Sequence, residues 1–65
     1  MTLTHRQERA LQAFRALARE FPIEQAVISA RKSVQMPDAD WDDPELAERM
    51  ADIAVELHAA GELKG

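Results

Sequence analysis

The residues with chemical potential in this 65-residue chain are two histidines, two serines and a dense set of carboxylates. None of them forms a recognisable reaction centre. Ser29 and Ser33 fall in a helix-forming stretch with no histidine near in sequence to serve as base, and the chain has no cysteine nucleophile. His5 and His58 are far apart and have no thiols with them, a poor start for zinc. His58 and Glu62 are one helical turn apart and could share a ligand, but two ligands do not make a site. His58 is better suited to be the cation of a helix C-terminus. Asp38, Asp40, Asp42 and Asp43 crowd around Trp41, yet the turn glycine of a calcium loop is missing. No glycine-rich loop can cradle a phosphate. These absences set the expectation of no catalytic residues, no cofactor and no metal, hence a protein that is not an enzyme.

The carboxylates suit recognition instead. At 100° per residue, Glu45, Glu48, Asp52 and Glu56 fall within about 80° of one another on a helix. Arg49 is the one basic residue among them and can pair locally with Glu45 or Asp52. Such a face either keeps a protein in solution or docks onto a basic partner, and the four aspartates around Trp41 extend it. Its spacing loosely resembles that of phosphates along a nucleic acid. Val55 belongs to the same outer face and breaks the apolar pattern. The first-choice protein-binding set is therefore Trp41, Glu45, Glu48, Asp52, Val55 and Glu56. Trp41 has a second reading, as a cover over one end of the core with its indole N–H bonded to a carboxylate or carbonyl.

The two halves of the chain differ in sign. Residues 1–35 carry six cations against three carboxylates, and residues 36–65 carry nine carboxylates against two cations, so about +3 faces −7 within a net charge of −4. Such a split favours electrostatic recognition of a macromolecule, a second copy included. Arg15 and Arg19, one turn apart on the first basic stretch, could meet the acidic face of another chain. With Arg31, Lys32 and Ile28 they form the second-choice set, for an interface or for nucleic acid. Ile28 lies more than about 100° from the apolar seam of its own helix.

Those residues must be positioned by helices. Alanine, leucine, glutamate and arginine dominate, glycine is absent before Gly61, and no strand-like alternation occurs. Thr4 and Gln7 make a capping-box pattern for a first helix over 4–20, with Ala10, Phe14, Leu17 and Phe21 as its stripe, widened by Leu11 and Ala18. Pro22 stops it and opens a second helix over 22–35, whose seam reads Ile23, Val27, Ala30 and Val34. MPDADWDD reads as the only clear loop. Asp43 then caps a third helix over 44–60, with Pro44 at its first position. Leu46, Met50, Ile53, Leu57 and Ala60 form its seam, Gly61 terminates it, and Glu62 to Gly65 is left as a short tail.

The expected object is a small all-α, three-helix domain spanning 1–65. It buries only about 60% of its unfolded surface and has no disulfide to help, which favours a homodimer. MTLTHRQERA has no apolar signal-like run, no stretch is long enough to span a membrane, and the absence of cysteine suits the cytoplasm. The expected role is a non-enzymatic regulator, adaptor or inhibitor that binds a protein with a basic surface, of the kind phages and mobile elements encode. The alternative is a helix-turn-helix-like DNA-binding regulator using the basic first and second helices. LTHRQERALQAF resembles the opening helix of small winged-helix repressors, although the turn residues that should follow do not continue that pattern. The acidic third helix would be repelled by phosphates.

Overall fold

A computed structural model describes residues 3–64; Met1, Thr2 and Gly65 of the expected domain lie outside the described residues. The described chain is all-helical, with α1 at His5–Leu17, α2 at Ile23–Ser33, α3 at Asp38–Trp41 and α4 at Pro44–Ala59. The three long helices are those anticipated, with trimmed ends. The fourth, α3, is a single turn inside the stretch read as a loop. Pro37 carries an extended ψ and its carbonyl accepts from the Asp40 N–H at 2.9 Å, so the proline starts the turn. Asp38 and Asp40 then sit where a helix favours negative charge.

The helix ends have local causes. Thr4 and Gln7 form the full reciprocal capping box of α1. α1 stops at Leu17 rather than Glu20 because Pro22 restricts the chain ahead of it, and residues 18–20 tighten into a turn. In that turn the Arg19 and Glu20 N–H groups reach back only three residues, to the carbonyls of Ala16 and Leu17. α2 ends two residues short of expectation, at an extended Val34. Asp43 caps α4 through the Glu45 N–H at 3.0 Å, and Pro44 occupies the first turn. At the far end Gly61 adopts φ +73°, the Glu62 N–H donates to the Leu57 carbonyl and the Gly61 N–H to that of His58. That pair of bonds is a Schellman closure.

α1 is the hub and packs against both α2 and α4, while α3 packs on the start of α4. Phe14, Leu46 and Leu57 are the largest fully buried side chains, joined by Leu3, Ala10, Leu11, Ala18, Ala26, Ala30 and Ile53. The seam of α2 is rotated from the expected one. Ala26 and Ala30 are its buried residues, Val27 and Val34 are half-buried, and Ile23 is exposed. Two alanines let α2 approach α1 closely, which branched side chains on that line would prevent. Phe21 leaves the α1 stripe because α1 has already ended, and Ala60 is exposed beyond the last turn of α4. The tail returns to the fold: Leu63 packs on the core and the Lys64 N–H donates to the Ala18 carbonyl at 3.1 Å.

Candidate functional site

The acidic set divides once it is placed on the fold. α4 is amphipathic, with Leu46, Ile53 and Leu57 turned into the core. Glu48, Asp52, Val55 and Glu56 therefore face outward, and all four are exposed. Glu56 is already engaged, accepting from Arg15 of α1 at 2.7 Å. Glu48 and Asp52 have no ion pair among the described residues. They lie one turn apart, with Val55 beside them at the three- and seven-residue spacings of one helix face. Val55 is 69% exposed, the most open of the large apolar side chains among the described residues. Ala51 and Ala59, also exposed and one turn to either side of Val55, continue the apolar strip. Glu45 is half-buried in the first turn of α4 and is not part of the open surface.

Trp41 is separated from this strip by its role in the fold. It is half-buried at the end of α3 and packs against the core, in keeping with the cover reading. Its indole N–H has no hydrogen-bond partner among the described residues. The Arg31 guanidinium instead lies over the ring, 5.4 Å from its centroid. A cation from the second-choice set thus closes the outer side of a residue from the first.

The rest of the second-choice set is also partly used inside the chain. Arg15 pairs with Glu56, and Arg19 pairs with Glu62 at 3.0 Å. Of the basic and acidic stripes expected to meet between chains, Arg15 and Glu56 pair within the chain, and Arg19 pairs with Glu62 of the tail. Lys32 and Ile28 stay exposed on α2. A cleft of about 260 Å³ runs between α1 and α4, floored by Leu11 and Ile53 and walled by Glu8, Gln12, Arg15 and Arg49. Its charges are mixed, and Arg15 is already bonded to Glu56.

One residue matters more than its sequence pattern implied. Gln7 is 2% exposed and spends its whole carboxamide. Its Oε1 accepts from the Thr4 N–H at 2.9 Å, and its Nε2 donates to the Asp40 carbonyl at 3.1 Å and to Asp43 Oδ2 at 3.0 Å. The cap of α1 thereby holds the cap of α4, and with it the start of the acidic helix. The capping-box spacing marked Gln7 but not its long-range partners.

Among the described residues no group of three His, Asp or Glu side chains could hold a metal ion, and no helix is long and apolar enough to cross a membrane. No family model matches the chain, and no curated protein and no solved structure matches it.

Proposed function

We propose that the protein is a non-enzymatic regulator, adaptor or inhibitor that binds another protein through the outer face of α4. The observation that carries this reading is the setting of Val55, an open apolar side chain bordered by Glu48 and Asp52, two exposed carboxylates without ion pairs among the described residues. An apolar centre inside a charged rim has the composition of a recognition patch. The rim is anionic, so the complementary partner presents a basic surface with a small apolar recess. Opposite charge across such a contact speeds encounter and rejects acidic competitors. A cytoplasmic setting belongs to the same reading and is supported by the absence of cysteine.

The reading also takes the working unit to be a homo-oligomer. Among the described residues only three large side chains, Phe14, Leu46 and Leu57, are fully buried. A DNA-binding role through α1 and α2 has less support. Arg15 and Arg19 face carboxylates of the same chain, and Arg31 is laid over Trp41.

The test is recovery of partners from native lysate with and without nuclease treatment, with the native chain and with Glu48→Lys/Asp52→Lys in parallel. A stoichiometric protein captured by the native chain and lost by the variant is the expected result, with helicity and melting little changed. Equal recovery by both removes α4 as the binding face. Recovery of nucleic acid alone transfers the function to α1 and α2.

A further inference from the structure

α2 commits just two side chains, Ala26 and Ala30, to the buried core. The opposite side of the helix carries Glu24, Ile28 and Lys32, each one turn from the next. All three are exposed, Ile28 by 54%. Neither Glu24 nor Lys32 has an ion pair among the described residues. The stripe is self-complementary: an anion stands one turn before the isoleucine and a cation one turn after it. When two such stripes run antiparallel about a two-fold axis at Ile28, each Glu24 meets the other copy's Lys32 and the two isoleucines cover one another. A parallel arrangement would set like charges against each other.

We propose that this face of α2 is an isologous contact with a second copy of the chain, centred on Ile28 and closed by two Glu24–Lys32 pairs. The inference rests on the homo-oligomer part of the reading above and is independent of the α4 face. The charge order selects the occupant. A wholly basic or wholly acidic partner would satisfy one end of the stripe and oppose the other, whereas a two-fold copy satisfies both ends by symmetry. Arg31, next to Lys32, is drawn away over the Trp41 ring and leaves the contact balanced. One face of an 11-residue helix covers much less than the roughly 800 Å² per partner of a standard interface. The dimer is accordingly weak and salt-sensitive, forming at about 0.1–1 mM chain.

Sedimentation at low salt and about 1 mM chain tests it, with helicity of each variant checked by circular dichroism. Native chains are expected to self-associate. Glu24→Lys alone makes the stripe cationic and Lys32→Glu alone makes it anionic, so each variant should sediment as a monomer. An equimolar mixture of the two should associate, and the double exchange Glu24→Lys/Lys32→Glu should restore self-association. A native chain that remains monomeric overturns both this contact and the homo-oligomer reading. Native association that the single exchanges leave intact, or that the mixture and the double exchange fail to restore, overturns the α2 contact and leaves the homo-oligomer reading standing.

Discussion

Gln7 offers the sharpest test of how the fold is held. Its side chain is buried, and each of its three hydrogen bonds ends on a different residue: Thr4, Asp40 and Asp43. Gln7→Met keeps the volume and removes all three. The bond to the Asp43 carboxylate is charge-assisted, a class worth about 1.5–3 kcal/mol, and the lost half of the capping box adds about 0.5–1 kcal/mol. Thr4 is exposed, so water can take over its N–H, and Asp43 keeps the Glu45 N–H. The working figure is therefore about 2–3 kcal/mol. A domain of this length has a total stability of roughly 3–10 kcal/mol, so the loss is a large share of it. At about 4–8 °C per kcal/mol, the melting midpoint should fall by roughly 8–24 °C. Gln7→Glu should be worse at neutral pH. It retains an acceptor for the Thr4 N–H but turns the donor toward Asp40 and Asp43 into a second acceptor, with a negative charge beside a carboxylate. Acidifying the solution should return part of that additional loss as the new carboxyl takes up a proton. Thermal and urea melts followed by helical circular dichroism provide the comparison. If Gln7→Met melts within about 4 °C of the native chain, a shift worth under about 1 kcal/mol, the argument that Gln7 couples the two caps is wrong.

Two further substitutions probe the core and the closing turn. Phe14→Ala removes the largest aromatic ring that is fully buried and should cost about 3–5 kcal/mol, enough to leave much of the chain unfolded at 37 °C by circular dichroism. Gly61→Ala meets no atom within 4 Å, so its cost is conformational alone, arising from the positive φ. It should lower stability by about 1 kcal/mol in a urea melt, and Gly61→Asn should lose less.

How far the sequence could be read depended on whether a feature was local. Thr4 with Gln7, Asp43 with Pro44, and Gly61 each end a helix through atoms within a few residues, so spacing alone located them. The all-helical class followed from composition for the same reason. The seam of α2 did not. Periodicity picks out Ile23, Val27, Ala30 and Val34, of which Ala30 is buried; the other buried position is Ala26 rather than a bulky residue, because the approach to α1 depends on what α1 presents. The single turn of α3 was hidden inside a stretch of aspartates that reads as solvent-loving loop. In the candidate site, the exposure of Val55 and Ile28 was legible as departures from their helical wheels. The long-range partners of Gln7 (Asp40 and Asp43) and the partners of Arg15, Arg19 and Arg31 were not legible, since each lies in another part of the chain.

The charge split between the halves takes on a different meaning in the folded chain. As a sequence, an excess of cations followed by an excess of carboxylates invites pairing between molecules. Folding lays α1 beside α4 and lets Arg15 and Arg19 reach Glu56 and Glu62. These pairs are exposed, and bridges of that kind contribute roughly 0–1 kcal/mol each, so they do little to hold the fold beside the buried Phe14, Leu46 and Leu57. Their consequence is selective. Each pair offsets one cation with one anion, Arg15 with Glu56 between α1 and α4 and Arg19 with Glu62 just beyond the ends of both helices. Among the exposed charges without an ion pair among the described residues are Glu48 and Asp52 around Val55 on α4, and Glu24 and Lys32 around Ile28 on α2. The first is acidic apart from Arg49, and in the proposed reading it is met by a different molecule of opposite sign. The second carries both signs symmetrically about an apolar residue and can be satisfied by its own copy. Under the two proposals above these surfaces take different partners, and a variant in one should leave binding at the other unchanged.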